Sequence, residues 1–529
     1  YDFRATASYN NVFGEDHIVN LFGGMETNAV NREKTWFNGV GMQYEMGMLP
    51  SYDYLYFKQG NEENAGYYSV DRTRQREVSF FGTGTYSYKG RYTLNGTVRY
   101  EGSNKLGKSR KARWLPTWNV SAAWNAHEEE FWQSFRDVVS NMTLKASYSL
   151  TADRGPASVS NSKAIINSYN TWRPFTSVKE SGLILSSVEN SELTYEKKHE
   201  LNIGAEIGFI DNRINIEADW YTRNNFDLIG LIYTKGTGGQ LAKFANVASM
   251  KSSGVEFTVS TRNIKTKDFS WNTDFIFSHT KNEVTDLQSN ASVMDMISGN
   301  GFAMEGYPVR ALFSMDFQGL NENGYPTFIN EKGQLTVSDI NFQEQLKKDH
   351  LVYEGPTDPT MTGSLGNIFR YKGFTLNAFI TYSFGNVIRL DPVFHNVYSD
   401  LDAMPREFIN RWTTGGDEKV TNVPVIADKR ANQQDPYLSY AYNAYNYSTE
   451  RIAKGDFIRM KELSLSYNFP KKMISRLKVN DLSLKIQATN LFLIYSDKKL
   501  NGQDPEFFNT GGVASPVPRQ FTLTLRLGI

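Results

Sequence analysis

The 529-residue sequence contains no cysteine. Disulfides, thiolate metal sites and a cysteine nucleophile are excluded with it. No run of roughly eighteen apolar residues occurs, so no helix of the sequence can span a bilayer. Net charge is missing too. Lys and Arg number 57 and balance 57 Asp and Glu, which argues against nucleic acid as the main partner. No Pro/Ser/Gly-rich linker or charge run divides the chain. Its length alone suggests three or four domains, yet we read residues 1–529 as one. No signal peptide opens it. Residue 1 already leads into a strand, Phe3–Tyr9, and the expectation is a piece cut from something longer.

Catalytic groupings are equally scarce. The six histidines (His17, His127, His199, His279, His350 and His395) form no HExxH and no close pair. No glycine-rich loop links a strand to a helix, and Gly236-Thr-Gly-Gly239 reads as a flexible turn. Asp400-Leu-Asp402 and Asn321-Glu-Asn-Gly324 read as ordinary loop chemistry, with calcium as the minority alternative. The expectation is a protein that is not an enzyme, with no cofactor and no metal.

What is abundant is aromatic and alternating. Aromatics make up 14% of the chain, with 30 Tyr and 34 Phe. From His199 to Asn225, Leu201, Ile203, Ala205, Ile207 and Phe209 alternate with Asn202, Gly204, Glu206 and Gly208. After Asp211-Asn-Arg213 the pattern resumes, with Ile214, Ile216, Ala218 and Trp220 against Asn215, Glu217 and Asp219. A two-residue period on both sides of a three-residue link predicts an antiparallel hairpin. Such hairpins recur along the whole chain. The patterning predicts about seventeen strands, near 1–10, 16–27, 74–88, 90–102, 115–125, 141–152, 196–210, 213–226, 247–263, 268–284, 309–319, 325–330, 359–371, 374–387, 455–469, 481–495 and 518–529. Short links (11–16, 89–90, 211–213, 265–267, 371–373) alternate with long ones (28–73, 154–194, 228–246, 285–306, 331–358, 388–453).

Most of these strands are long enough to cross a bilayer at a tilt. Aromatics stand near their ends: Tyr100, Trp118, Trp124, Tyr148, Trp220, Trp271, Tyr382 and Tyr467. Alternation, one tight rim, one loop-rich rim and aromatic girdles together predict an all-β fold, a transmembrane antiparallel β-barrel in an outer membrane. A large soluble β-protein with its aromatics in an ordinary core is the alternative. On the barrel reading, Leu201, Ile203, Ile214, Ile216, Leu523 and Leu525 face lipid, and Asn202 and Thr522 face the lumen. Lumen-side Glu206, Glu217, Asp219, Arg262 and Arg526 are expected to satisfy one another. One helix is expected, over His127–Val139, with Phe131, Trp132, Phe135 and Val139 on its stripe and three Glu at its start.

Several blocks resemble the SusC/RagA type of TonB-dependent outer-membrane transporter. They are Trp118-Asn-Val-Ser-Ala-Ala-Trp-Asn with Glu129-Glu-Phe-Trp, Leu144-Lys-Ala-Ser-Tyr-Ser-Leu, Gly254-Val-Glu-Phe with Phe269-Ser-Trp, and Gly363-Ser-Leu-Gly-Asn-Ile-Phe with Tyr371-Lys-Gly-Phe. Then follow Lys454-Gly-Asp-Phe-Ile-Arg-Met-Lys-Glu-Leu-Ser-Leu-Ser-Tyr, Ala488-Thr-Asn-Leu-Phe, Asp504-Pro-Glu and the closing Pro518-Arg-Gln-Phe-Thr-Leu-Thr-Leu-Arg-Leu-Gly-Ile. The chain departs from the family at Ile529, where an aromatic is usual, and at Ala152-Asp153, where Gly-Asn is common.

The resemblance implies a 22-strand barrel around an N-terminal plug. With the short links on the periplasmic side, the parity of the strands makes this chain strands six to twenty-two. The plug, the TonB-contacting segment and five strands would then belong to an earlier stretch or another chain. It implies active import of a large nutrient, oligosaccharide favoured and peptide as the alternative, energised through TonB. It also implies a SusD-like surface lipoprotein as partner, with a dimer of transporter–lipoprotein pairs left open. A passive porin-like channel or an adhesive surface barrel is the alternative from another class, and an outer-membrane hydrolase is the poorest reading.

The binding candidates are loop aromatics: Trp172 in loop 154–194 and Tyr437, Tyr440, Tyr442 and Tyr445 in loop 388–453, with Tyr447 beside them. Tyr52, Tyr54, Tyr56 and Phe57 stand in loop 28–73. Flat rings among amides and carboxylates suit sugar rings or peptide side chains. The alternative is that they pack the loops together or meet a partner protein. The 437–447 stretch has too little aliphatic content for a core of its own, so it is expected to lie on other loops, a cap or a solute.

Overall fold

A computed structural model describes residues 1–38, 42–43, 49–50, 54–62, 68–155, 164–170, 180–233, 236, 242–288, 291–398, 406–475, 479–507 and 518–528. Its main sheet has fifteen strands: β1 (Asp2–Phe13), β2 (His17–Phe37), β3 (Tyr68–Tyr88), β4 (Tyr92–Ser103), β5 (Trp114–Asn125), β6 (Val139–Asp153), β7 (Glu196–Phe209), β8 (Ile214–Tyr233), β9 (Ala242–Lys265), β10 (Phe269–Leu287), β11 (Met361–Tyr371), β12 (Phe374–Phe384), β13 (Phe457–Asn468), β14 (Asp481–Ser496) and β15 (Gln520–Gly528). Their hydrogen-bonded order is their chain order. Each strand therefore pairs with its sequence neighbours, as a β-meander requires.

The tight links close as the sequence predicts. Lys89 and Gly90 both have positive φ (55° and 67°), the signature of a two-residue turn that matches the strand twist. Ile210, Asp211 and Asn212 turn β7 into β8 with φ of 52–55°.

Two expected strands are corrected. Residues 309–319 and 325–330 are not rungs of the main sheet. Ala311–Met315 pairs with Leu351–Pro356, while Phe317–Leu320, Pro326–Ile329 and Leu335–Thr336 form a three-stranded sheet. Both faces of Ala311–Met315 are buried, so the segment packs inside a loop domain and cannot present one face to lipid. The expected helix is corrected as well. Ala126–Glu128 and Glu130–Ser134 are 3-10 turns. β6 begins at Val139, so the last residue of the expected stripe belongs to a strand. The Trp132 indole N–H donates to the Val139 carbonyl at 2.9 Å, which ties the segment to the strand start.

The chain forms two compact units. The first comprises Tyr1–Trp124, Ala146–Leu201 and Asn224–Ser249. In it β2 and β3 stay in register from His17↔Tyr88 to Phe37↔Tyr68, so the hairpin reaches far beyond the expected strand ends. Its polar face carries a charge network. Arg99 bridges Glu26 (2.5 Å) and Glu101 (2.8 Å), and Arg154 joins Glu101 to Glu77. Trp118, Tyr148, His199 and Phe226 form a ring row at centroid spacings of 5.5, 5.7 and 5.5 Å. Two of the expected girdle aromatics meet here, with a histidine that the sequence did not mark for this row.

The second unit comprises Asn125–Lys145, Asn202–Arg223 and Met250–Ile529. Register builds one apolar row across six strands, Trp271–Phe369–Leu376–Leu465–Ile486–Leu523. One residue away on the strands runs Asn377–Ser464–Gln487–Thr522. Nearest the tight turns the apolar face ends in Phe269–Tyr371–Phe374–Tyr467, with the Phe374 and Tyr467 rings 4.3 Å apart. At the other end Tyr382 meets Phe384 at 5.7 Å. Phe374 and Phe384 are ten residues apart on β12. That is about 33 Å of strand, or about 25 Å along the normal of a bilayer crossed at the usual barrel tilt. The apolar face thus has the height of a bilayer core between two aromatic girdles.

Two glycines of the resemblance blocks make room for tyrosines of adjacent strands. A Cβ on Gly363 would lie 2.3 Å from the Tyr382 hydroxyl, and one on Gly254 would lie 2.5 Å from that of Tyr221. On the polar face Lys145 pairs with Glu206 and lies 3.7 Å from Glu217. Arg262 instead donates to the carbonyls of Asp211 (2.7 Å) and Asn212 (2.8 Å).

Candidate functional site

Between β10 and β11, between β12 and β13 and after β14, the second unit carries loop segments that fold on one another. Their centre is the helix Leu438–Asn446. Leu438, Ala441, Tyr442 and Tyr445 stand at i, i+3, i+4 and i+7 and are all buried. They pack with Val293, Ile297, Met315, Phe328, Ile340, Phe394 and Phe408. The tyrosine-rich stretch forms no core of its own and lies on other loops, as expected, and with them it makes a shared core. Its aliphatic and phenyl partners come from segments about 30 to 150 residues earlier, which no reading of 437–447 alone supplies.

The expected binding residues separate by helix face. Tyr442 is 1% exposed, and its hydroxyl donates to the Val425 carbonyl at 2.5 Å. Tyr445 is buried edge-on against Phe394 (4.9 Å) and Phe317 (5.5 Å). Burial pushes both phenols above the ordinary tyrosine range, so they remain neutral hydrogen-bonding groups. Tyr437 and Tyr440 are exposed on the other face, with ring centroids 5.7 Å apart. Phe342 meets Tyr440 edge-on at 5.8 Å and extends this surface. Tyr447 lies under the Arg389 guanidinium, 5.9 Å from it. Tyr54 is exposed on the short helix Tyr54–Glu62 of the first unit. Trp172, Tyr52 and Asp400-Leu-Asp402 lie outside the described residues.

Buried arginines, which sequence reasoning missed, hold the loops together. Arg389 donates to the carbonyls of Ser448 (2.7 Å) and Phe313 (2.6 Å) and to the Ser314 hydroxyl (3.1 Å). Burial lowers its pKa to about 10, still far above neutrality, so it stays charged. Arg451 pairs with Glu407 and donates to the Asp391 carbonyl at 3.0 Å. Arg459 is held by Asp504 and, at 2.9 Å, by Glu506. Only the Arg459 cluster had a sequence signal, since both of its ends lie in resemblance blocks.

Among the described residues the exposed rings are suited to holding and stacking. Asn321 is spent on its own turn, its Oδ1 accepting the backbone N–H groups of Asn323 (3.0 Å) and Tyr325 (2.9 Å). Among the described residues no group of three or more His, Asp or Glu is placed to hold a metal ion.

Comparison with known proteins places this chain. Residues 1–403 match the family model described as TonB dependent receptor-like, beta-barrel. The chain is 24% identical over 520 residues to TonB-dependent receptor P3 of Formosa agariphila, covering 94% of this chain and 48% of that protein. It is 26% identical to TonB-dependent receptor SusC of Bacteroides thetaiotaomicron, covering 86% of this chain and 44% of that protein. Its fold resembles a chain of the RagAB peptide transporter, with a TM-score of 0.79 at 20% identity over 99% of this chain and 55% of that one. The chain spans about half the length of the curated relatives it matches. Its alternating sheet, bilayer-high apolar face, girdles and family match agree: the chain belongs to the TonB-dependent receptor-like β-barrel family, in its SusC/RagA type, and is a barrel portion of an outer-membrane protein.

Proposed function

We propose that this chain serves active import of a large nutrient, as the barrel part of a SusC-like transporter that works with a SusD-like surface lipoprotein and is energised through TonB. The observation that carries the reading is the pairing of a bilayer-high apolar sheet with a loop domain that has its own core and leaves Tyr437 and Tyr440 exposed. A passive pore needs no such domain. The core fixes the two rings, so a solute or a partner meets them without the entropy cost of ordering a loop. We place the plug, the TonB-contacting segment and the remaining strands in a part of the protein other than residues 1–529. No catalytic role is assigned.

Oligosaccharide is the favoured substrate class. Phenol faces beside amides match the apolar faces and hydroxyls of sugar rings. Peptide is the alternative, and the likeness to a peptide transporter keeps it open. Uptake of labelled oligosaccharides and of labelled peptides by cells carrying the full-length protein tests both, with and without TonB. Import of one class that stops without TonB supports the reading. Entry that is indifferent to TonB would make the protein a passive pore, and binding without entry would make it an adhesin.

A further inference from the structure

A cleft of about 300 Å³ opens in the second unit. Leu390, Val393 and Leu500 give it apolar walls. Its charged lining is Asp391, Arg406, Glu407, Arg451 and Lys499, with Asn501 and Gln503 completing the rim.

The charges do not cancel. Glu407 is taken up by Arg451, and its other oxygen accepts from Asn501 at 3.5 Å. Arg451 is buried, yet its Nε has no acceptor among the described residues. Lys499 gives one proton to the Ile452 carbonyl at 3.2 Å and keeps two. Arg406 has no ion pair among the described residues. Arg406 and Lys499 thus stand against the single carboxylate of Asp391, beside buried leucines that keep the local dielectric low and strengthen any ion contact. A binding cleft with one surplus positive charge and apolar walls suits one anion carried on a compact body.

We infer that this cleft seats a single carboxylate of the transported solute, with Arg406 and Lys499 as its contacts and Arg451 and Glu407 as the frame that spaces them. The carboxylate has two sources, a uronate residue of an acidic oligosaccharide or the C-terminus of a peptide. The volume admits one residue of either, at the low end of ligand-pocket sizes, and not a folded polymer. The inference rests on the import reading for its choice of ligand, and its test is binding alone.

The purified full-length transporter with its lipoprotein partner would be titrated with an oligogalacturonide and with its methyl ester. In a second arm it would be titrated with an oligopeptide and with its C-terminal amide. The expected result is at least tenfold tighter binding of the free carboxylate in one arm, which names the source. Arg406→Gln with Lys499→Gln should abolish that preference while leaving Arg451 and Glu407 in place. A preference that survives the double variant, or no preference in either arm, would overturn the inference. A preference that the double variant removes, in a protein whose uptake proves independent of TonB, would support this site and count against the import reading alone.

Discussion

Asp504 holds the guanidinium of Arg459 across 45 residues of sequence, with Arg459 only 3% exposed. Glu506 adds a second contact at 2.9 Å. The pair joins the segment after β14 to the start of β13, and the same segment supplies Lys499, Asn501 and Gln503 to the charged cleft. Two short blocks that look unrelated in sequence are therefore the two ends of one clamp.

Asp504→Ala should loosen that segment and spare the sheet. A buried charge stripped of all partners costs about 3–5 kcal/mol, and with Glu506 retained the local cost should be about 1–3 kcal/mol. Limited proteolysis of the full-length protein in outer membranes is the check. New cleavage near 497–507 with an intact barrel is expected, and unchanged digestion would assign the clamp no structural weight.

The register of β10 to β15 fixes which side chains meet lipid. Arg at Leu465, Ile486 or Leu523, all on the apolar row two residues in from the Phe374–Tyr467 girdle, should cost between the roughly 0–1 kcal/mol of an interface site and the roughly 2–4 kcal/mol of a midplane site. Arg at Gln487 or Thr522, one residue away, should cost far less. Heat-modifiable gel migration of the full-length variants reads the folded fraction, and equal losses in both sets would reverse the facing.

The tyrosines of the loop helix should part company on mutation. Tyr442→Phe leaves the Val425 carbonyl without its donor and should cost about 1–2 kcal/mol, while Tyr442→Ala should cost about 3–5 kcal/mol through the cavity it opens. Tyr437→Ala with Tyr440→Ala should leave the loop folded yet lower uptake or lipoprotein capture at least several-fold. Protease resistance, uptake and pull-down would be followed together. Normal uptake and normal capture by the double variant at wild-type abundance would remove these two rings from the site.

A fourth expectation concerns pH. Burial raises the Glu354 carboxyl above the ordinary value of 4.5, against the opposing pull of the Ser314 hydrogen bond and the Arg389 charge. A carboxyl raised in the folded state binds its proton more tightly there than in the unfolded chain. Its stabilising contribution is fully present below 4.5 and is lost as pH rises through the folded value. Arg389, at about 10, stays charged throughout that window. Hydrogen exchange of the paired strands Ala311–Met315 and Leu351–Pro356 should therefore quicken from about pH 4 to about pH 7, after correction for intrinsic exchange, and Glu354→Gln should flatten the trend. A flat wild-type profile would show that Glu354 does not couple to this pair.

Much of the membrane-crossing sheet was legible because its code is local. Two-residue alternation and the turns at Lys89-Gly90 and Asp211–Arg213 are each set by neighbours a few residues away, and the strand assignments built on them stand in the structure. The 309–319 segment misled because a strand buried on both faces and a strand of the main sheet have similar composition. Tyr442 and Tyr445 misled because five tyrosines within 437–447 look like a surface cluster until the helix period sorts them.

By itself, then, the sequence determined the strand period, the tight-turn rim, the aromatic ends of the strands and the family blocks. All are encoded within a dozen residues of one another. Only the tertiary structure decided which tyrosines are core and which are surface, that Arg389, Arg451 and Arg459 are buried locks, and that Arg406 and Lys499 converge on one cleft. Those facts arise from contacts between segments about 30 to 150 residues apart. A burial or a surplus charge exists only after distant chain segments have displaced the water between them.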